Sequence, residues 1–281
     1  MLRLYEITNP KSGYVFKQLT EAWRKYLPNV EWVSSENKAD FVIIEAIGGE
    51  EYVQALTVPG HKRILFQMCV YTSGVSIPDW KELWDTSHVT LSFHDLPSYL
   101  PESERNFKFV RTPLGADPND FPLLNLERNH KIFTTGHVAS TEHIDDIFRA
   151  IQSTKDKMYH TGENFRYDTN YYKFLHYMTI PELSRLLNST QYVIGLRDIE
   201  GFEVHCIQGA MCGATPIVPN LPTYDFYQEF GTYIDMQSDV RQQLVEILSQ
   251  PYEPLAKDKV EMVRYYFSWQ RIMNDLASNI F

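Results

Sequence analysis

The stretch Gly195–Val218, GLRDIEGFEVHCIQGAMCGATPIV, carries most of the information about the fold of this chain. The apolar residues 192–194 that lead into it are typical of a buried parallel strand. A polar loop follows, and it contains Arg197, Asp198, Glu200 and Gly201. The next residues predict a small-residue helix that begins near Gly201 or Phe202 and ends at Gly213, with a second short strand over 215–218. Charged residues therefore follow the carboxyl end of a predicted strand, the edge where open α/β sheets bind ligands.

The rest of the chain alternates apolar strand patterns with amphipathic helix patterns. Predicted strands cover residues 2–8, 40–47, 63–66, 88–93, 107–111, 131–135, 157–160 and 191–196. Predicted helices cover residues 14–27, 50–57, 79–84, 141–154 and 180–188, and the tail 255–281 is also helical in pattern. Alternation of this kind indicates parallel sheets covered by helices. The predicted fold class is therefore α/β, with two Rossmann-like, doubly wound domains.

A proline-rich stretch over 112–126, TPLGADPNDFPLLNL, is the predicted domain boundary. Pro113, Pro118 and Pro122 do not fit inside a helix or a central strand. We therefore predict a first domain over residues 1–122 and a second domain over residues 123–281, with their ligand-binding edges facing one cleft.

Composition limits the classes of protein that the chain can belong to. It is 43% hydrophobic and carries a formal net charge of −10 at pH 7, which argues against a large nucleic-acid-binding surface. No apolar run approaches the roughly 18 residues of a spanning helix, and the N-terminus lacks the apolar region of a signal peptide. Three cysteines without metal-type spacing indicate buried thiols in a reducing compartment. We therefore expect no transmembrane segment and a cytoplasmic location, or the host cytoplasm if the protein is viral.

Four segments, in chain order, resemble the GT-B glycosyltransferases and specifically glycosyltransferase family 4. They are 111–121 (RTPLGADPNDF), 131–151 (KIFTTGHVASTEHIDDIFRAI), 181–202 (PELSRLLNSTQYVIGLRDIEGF) and 267–277 (FSWQRIMNDLA). They look like that family's interdomain linker, the opening of its second domain, the elements that precede its donor site, and its closing helix. The resemblance implies an acceptor-side first domain, a donor-binding second domain, and a last helix, about 263–281, that crosses back to the first domain.

The resemblance also implies roles for individual residues. Glu200 would contact the transferred sugar, and Arg197 is the other predicted catalytic residue. The predicted donor-binding residues are Gly13, Gly136, His137, Arg166, Gly201, Phe202, Glu203 and Gln208. Gln208 lies where the family has a second glutamate that accepts hydrogen bonds from the nucleotide ribose, and its amide oxygen can still accept them.

This sequence departs from the family where the family binds phosphate. The family's arginine after the glycine turn is His137 here, and its lysine falls near Glu142 or His143. Such cations normally offset the charge of a diphosphate. The prediction is that Arg197, or Arg166 from a neighbouring loop, takes their place.

Plainer interpretations of the same residues stay open at this point. Glu200 and Glu203 also suit the N-terminus of a helix, whatever the function. Arg197 also fits a surface ion pair with Asp198 or Glu200. His137 fits an exposed loop, and Gly13 fits an ordinary helix entry with Ser12 as the cap.

The chain is therefore predicted to be a metal-independent, retaining glycosyltransferase, a hexosyltransferase for which a UDP-sugar is the favoured donor. It contains no Asp-x-Asp motif, the metal-holding signature of the GT-A class, so we expect no metal and no cofactor besides the donor. The acceptor stays open among a glycan, a protein and a modified DNA base, the last by analogy with phage and viral enzymes. A catalytically impaired nucleotide-sugar-binding module is the main alternative, and a nucleotide-sugar epimerase is another.

Overall fold

The structure is a computed structural model that describes residues 1–7, 13–136, 141–198 and 201–281. The chain forms two compact units. The first unit comprises Met1–Leu114, Glu200–Phe202 and Trp269–Phe281, and the second comprises Gly115–Ile199 and Glu203–Ser268. Each unit contains one six-stranded sheet in which all the described strand pairs are parallel. The predicted α/β class with two Rossmann-like domains is therefore confirmed.

The sheet of the first unit has the strand order β2-β1-β3-β4-β5-β6. Its strands are β1 (Leu2–Ile7), β2 (Val30–Trp32), β3 (Phe41–Ala46), β4 (Arg63–Gln67), β5 (Val89–Ser92) and β6 (Phe109–Arg111). Its helices are α1 (Tyr14–Tyr26), α2 (Gly49–Thr57), α3 (Ile77–Thr86) and the last helix of the chain, Trp269–Ile280. The strand order reverses between β1 and β3, which makes that pair the topological switch point of this sheet.

Large aromatic side chains fill both faces of the first sheet, as expected of a parallel sheet with helices on each side. Trp23 of α1 packs edge-on against Phe66 of β4, with ring centroids 6.1 Å apart. Trp80 and Trp84 of α3 are fully buried in the core on the opposite face. The first unit contains all five tryptophans of the chain, Trp23, Trp32, Trp80, Trp84 and Trp269. Tryptophan emission therefore reports on the first unit.

Two carboxylates are buried in the first unit under α1, near the carboxyl ends of β1 and β3. Glu6 of β1 lies opposite Ile43 of β3 in the register, and Glu45 of β3 lies on the same face. Glu6 pairs with Arg24 at 3.2 Å, whereas Glu45 has no ion pair among the described residues, and its polar neighbour is the indole of Trp23. Burial, followed by the charge of Glu6, raises the pKa of Glu45 to about 8. Glu45 is therefore mostly protonated at neutral pH.

The sheet of the second unit has the strand order β12-β11-β10-β7-β8-β9. Its strands are β7 (His130–Gly136), β8 (Met158–Gly162), β9 (Tyr172–Phe174), β10 (Thr190–Ile194), β11 (Thr215–Pro219) and β12 (Thr232–Ile234). Its helices are α4 (Ile144–Thr154), α5 (Ile180–Asn188), α6 (Val204–Met211), α7 (Val240–Ser249) and α8 (Lys257–Tyr266), and the last helix of the chain is α9. The switch point of this sheet lies between β7 and β10.

Helix α6 ends as the sequence predicts, at Gly213. The N–H of Gly213 donates to the carbonyl of Ala210, and the N–H of Ala214 donates to the carbonyl of Gly209, each at 2.9 Å. This pair of bonds is a Schellman motif, and it places Gly213 at φ +82°. Glycine adopts that conformation without the cost that a Cβ would add.

The helices differ from the prediction at their ends. Helix α6 begins at Val204 and not near Gly201 or Phe202, and α4 begins at Ile144. The predicted tail helix is in fact two helices, α8 and α9, because the chain between them pairs Ser268 with Ala116 in an isolated bridge. No helix among the described residues is both long and apolar enough to span a membrane.

The proline-rich stretch packs within the second unit. The N–H of Ala116 donates to the carbonyl of Phe267 at 3.0 Å, and Arg264 of α8 donates to the carbonyls of Phe121 at 2.5 Å and Pro118 at 2.8 Å. These bonds account for a division of the chain after Leu114, earlier than the predicted boundary after residue 122.

Candidate functional site

The switch point of the second sheet brings together residues from two loops, the one between β7 and α4 and the one between β10 and α6. Arg197 lies just beyond the carboxyl end of β10, and Glu142 lies between β7 and α4. Glu203 is the N-cap residue of α6. Open α/β sheets bind ligands outside the carboxyl ends of their strands at such a point. We call Arg197, Glu142, Glu203 and the adjacent Tyr224 the Arg197 cluster.

Arg197 bridges two nearly buried carboxylates. Its Nε donates to Oε1 of Glu203 at 2.6 Å, and its Nη2 lies 2.9 Å from Oε1 of Glu142. The side chain of Arg197 is 40% exposed, whereas those of Glu142 and Glu203 are 9% and 8% exposed. The charge of Glu203 raises the pKa of the guanidinium, with a smaller contribution from Glu142, and burial opposes the rise. One cation between two carboxylates leaves these three side chains with a formal charge of −1.

Two glycines let the carboxylates lie close to the strand ends. A Cβ on Gly136, the last residue of β7, would lie 1.9 Å from Oε2 of Glu142. A Cβ on Gly195, just after β10, would lie 2.2 Å from Cγ of Glu203. Any other residue at either position would displace the carboxylate. Gly136, a predicted donor-binding residue, therefore makes room for Glu142.

Tyr224 and Tyr227, both fully buried, pack next to Glu203. The Tyr227 hydroxyl donates to the backbone carbonyl of Glu203 at 2.8 Å. The Tyr224 hydroxyl forms no hydrogen bond with any part of the chain that the structure describes. Burial and then the charge of Glu203 raise the pKa of Tyr224 well above its ordinary value. A buried hydroxyl without a partner is uncommon, and it marks a position where another group completes the bond.

Helix α6 points its N-terminus at this region. The first N–H groups of a helix have no partner within the helix, and its dipole is positive at that end. His205, in the first turn, adds no charge, because burial lowers its pKa to about 4. Gln208, the predicted ribose contact, lies further along α6 with its side chain fully buried.

A scan against protein-family models and a search of curated proteins found no match to this chain. A search of solved structures found many. Sucrose-phosphate synthase from Thermosynechococcus elongatus matches with a TM-score of 0.68, at 12% identity over 86% of this chain and 73% of that one. WaaG, a glycosyltransferase involved in lipopolysaccharide biosynthesis, matches with a TM-score of 0.64, at 12% identity over 99% of each chain. AviGT4, a glycosyltransferase involved in avilamycin A biosynthesis, matches with a TM-score of 0.62, at 9% identity over 100% of this chain and 97% of that one.

These neighbours are GT-B glycosyltransferases. The chain has the GT-B fold. Identities of 9% and 12% show a shared fold, so the reaction, the donor and the acceptor have to be inferred from the residues of this chain.

Several residues predicted for a GT-B donor site lie in the first unit. Gly13 is the N-cap residue of α1, and a Cβ there would meet no atom within 4 Å. Gly201 has φ +154°, a conformation that favours glycine. Phe202 is buried with its ring 5.6 Å from that of Phe93. Glu200, His137 and the alternative helix cap Ser12 lie outside the described residues.

Arg166 does not join the Arg197 cluster in this GT-B chain. It lies in the loop between β8 and β9, where it lines a pocket of about 470 Å³ with Lys157, Tyr167 and Tyr172. No residue of the Arg197 cluster lines this pocket. Tyr167 stacks on Phe148 of α4 with ring centroids 4.1 Å apart, so the aromatic wall of the pocket belongs to the core.

The ion-pair interpretation of Arg197 named Asp198 or Glu200, and of these two only Asp198 lies among the described residues. Asp198 pairs with His143, so Asp198 is wrong as the partner of Arg197, and Glu142 and Glu203 take that role. Glu203 is an N-cap residue, yet its side chain makes no capping hydrogen bond because it binds Arg197 instead. Sequence reasoning missed Glu142 and Tyr224 as part of the site. The signal for Glu142 was that a carboxylate lies near the position where the family that the chain resembles has a lysine.

His143 ties the loop after β10 to the start of α4. Its Nδ1 lies 2.9 Å from Oδ2 of Asp146, and its Nε2 lies 2.5 Å from Oδ1 of Asp198. Burial lowers the pKa of His143, but the hydrogen bonds and charges of Asp198 and Asp146 outweigh it, and the net result is a raised pKa. The residue has φ 51°, in the left-handed region.

The contribution of His143 to stability should fall as the pH rises. A folded-state pKa above the unfolded value means that the stabilisation is complete below the unfolded pKa, about 6.5, and is lost as the pH passes the folded pKa. We expect His143→Asn, which tolerates the left-handed backbone, to lower the free energy of unfolding by about 1 kcal/mol at pH 6. At pH 8.5 we expect a much smaller difference, measured by urea unfolding followed by circular dichroism.

The matched control is His61→Asn, which removes an exposed histidine of the first unit. This variant should show the same pH dependence of the free energy of unfolding as the wild type. An effect of His143→Asn that does not change between pH 6 and 8.5 would show that the two aspartates do not favour the protonated ring.

Proposed function

We propose that this chain transfers a sugar from a nucleotide-sugar donor to an acceptor hydroxyl, with retention of configuration and without a metal ion. The observation that carries the proposal is the position of Arg197, at the switch point of the second sheet and beside the N-terminus of α6. A UDP-sugar is the favoured donor. A glycan, a protein and a modified DNA base stay as the candidate acceptors.

Arg197 supplies positive charge at the edge of the sheet where a donor diphosphate would bind. Glu203 holds its Nε at 2.6 Å, which fixes the plane of the guanidinium. A fixed guanidinium presents its remaining N–H groups in a defined direction, which suits contact with two phosphate oxygens. The same contact would stabilise the charge that develops on the leaving diphosphate during transfer.

Helix α6 supports the same assignment. It begins directly after the loop, so its free N–H groups and its dipole favour an anion at the same edge of the sheet. Glu200 precedes it in the chain, and the proposal gives Glu200 the contact with the transferred sugar, on the basis of the resemblance.

No group of three or more His, Cys, Asp or Glu in the described ranges is arranged to hold a metal ion.

A nucleotide-sugar-binding module without catalysis is the second candidate. The observation that favours it is the excess of negative charge around Arg197, where two carboxylates face one cation. Such a site would bind the donor weakly and stabilise a leaving diphosphate poorly. Turnover separates the two candidates, because a binding module shows affinity without product.

The test is thermal unfolding of the full chain with UDP, GDP, ADP, CMP and common UDP- and GDP-sugars. A ligand at about 100 times its dissociation constant adds about 2.7 kcal/mol of stability, which gives a clear rise in Tm. We expect a rise with one nucleotide and its sugar. No rise with any of them would contradict the proposal.

The catalytic part of the proposal is tested with Glu200→Ala and the donor that the first experiment identifies. We expect donor turnover, measured as nucleotide release, to be lost while the rise in Tm with that nucleotide persists. Glu261→Ala is the matched control, because Glu261 is exposed and pairs with Lys257 on the surface of α8. Unchanged turnover in Glu200→Ala would overturn the assignment of Glu200.

A further inference from the structure

Arg197 is held by one more carboxylate than its orientation requires. The bond from Nε to Glu203 at 2.6 Å, made to the N-cap residue of α6, already fixes the guanidinium. Glu142 adds a second contact, at 2.9 Å to Nη2, from a different loop. Gly136 leaves the space that Glu142 occupies, since a Cβ there would lie 1.9 Å from Oε2. The fold therefore includes a specific place for this second carboxylate.

The charge of Glu142 opposes any anion that approaches Arg197. With both carboxylates ionised, the three side chains carry a formal charge of −1 instead of 0. Asp198, next to Arg197 in the sequence, adds a further negative charge, which His143 offsets when its ring is protonated. A like charge within a few ångströms of a partly buried site acts through a low effective dielectric, so its effect on binding is large.

We propose that Glu142 is a specificity-determining residue, which holds Arg197 in the free protein and gives it up to a phosphate oxygen when the donor binds. This inference rests on the proposed function, because it assigns the donor diphosphate to the Arg197 cluster. Glu142 thereby lowers the affinity for any diphosphate, and a donor has to compensate through contacts with its base and sugar. After transfer, Glu142 competes with the nucleoside diphosphate for Arg197 and so favours release of the product.

Tyr224 lies beside the same carboxylates. Its hydroxyl is fully buried and bonds no described residue. The charge of Glu203 affects its ionisation more than the charge of Glu142 does. The cluster therefore contains a buried hydroxyl that can donate a new hydrogen bond when the contacts of Arg197 change.

The test compares the full wild-type chain with Glu142→Gln by isothermal titration calorimetry. Glutamine removes the charge and keeps one oxygen that can accept from Nη2, while its other oxygen becomes an NH2 donor. The bond from Nε to Glu203 still orients Arg197. The probes are inorganic pyrophosphate, UDP, GDP and ADP. We expect Glu142→Gln to bind pyrophosphate and one nucleoside diphosphate about tenfold more tightly, which corresponds to about 1.4 kcal/mol. Glu261→Gln on α8 is the control, and it should bind as the wild type does.

Each result decides the inference. Equal or weaker binding of a nucleotide by Glu142→Gln overturns it while the proposed function stands. A gain for pyrophosphate, with no nucleotide bound by either protein, supports the role of Glu142 and overturns the proposed function. No binding of any probe to either protein overturns both. If Glu142→Gln does not fold, as judged by circular dichroism, Glu142→Asp replaces it, because the shorter side chain withdraws the charge from Nη2 and should give a smaller gain.

Discussion

Replacing Arg197 with methionine is expected to lower the free energy of unfolding of the second unit by about 2–3 kcal/mol. The change leaves the carboxylates of Glu142 and Glu203, which are 9% and 8% exposed, without their shared cation. A buried carboxylate that loses its partner costs more than the ion pair contributed while intact. Because water reaches the 40% exposed Arg197 position, we expect a loss below the roughly 3–5 kcal/mol that a fully buried pair costs. Urea unfolding followed by circular dichroism measures it.

The matched control is the triple variant Arg197→Met, Glu142→Gln, Glu203→Gln. It removes all three charges together, so no carboxylate is left unpaired, and it should recover most of the lost stability. Arg197→Lys should recover part of it, because an ammonium group restores the charge without the fork that reaches both carboxylates. A triple variant as unstable as Arg197→Met would show that the loss comes from packing and not from charge.

The second large effect concerns Glu45 in the first unit. Relative to the wild type, the free energy of unfolding of Glu45→Gln should increase by about 3 kcal/mol as the pH rises from 4.5 to 7.5. Glu45 is 2% exposed, and burial raises its pKa to about 8 in the folded chain. Near neutral pH the unfolded chain ionises this carboxyl and the folded chain does not, which stabilises the unfolded state.

The direction of the pH dependence follows from that difference. Below about pH 4.5 both states hold the proton, so Glu45 contributes no slope. As the pH rises towards 8, the folded state binds more protons than the unfolded state, and the wild-type stability falls. Glu6 contributes in the same sense, because burial raises its pKa too. Glutamine does not titrate, so the stability of Glu45→Gln should change less over this range.

Tryptophan emission is the suitable probe for this measurement, because all five tryptophans lie in the first unit. Urea unfolding at pH 4.5, 6 and 7.5 gives the difference between the variant and the wild type at each pH. Glu104→Gln, at an exposed position of the same unit, is the control. Its free energy of unfolding should change with pH as that of the wild type does. A difference for Glu45→Gln that stays constant with pH would show that Glu45 is ionised in the folded chain.

The sequence predicted the strands that are buried on both faces, and also the edge strand β6. The apolar runs of β3, β10 and β11 mark central strands, since helices cover both faces of a parallel sheet. The edge strands β2, β9 and β12 were missed, because each has only three residues and shows no usable period. The end of α6 at Gly213 was predictable because a helix C-terminal glycine is a local signal. Its start was not, because the chain before Val204 turns to bring Glu203 to Arg197.

The sequence by itself determined the α/β alternation, the two doubly wound units and the charged loop after β10, because periodicity, apolar runs and turn residues are local properties of a chain. Only the tertiary structure decided which carboxylates hold Arg197. Glu142 follows β7 and Arg197 follows β10, and these strands become neighbours because the strand order reverses between them. Glu203 reaches the same guanidinium because Gly195 leaves room for its side chain. Contacts between residues far apart in the chain depend on the strand order and the close packing that only the folded chain has.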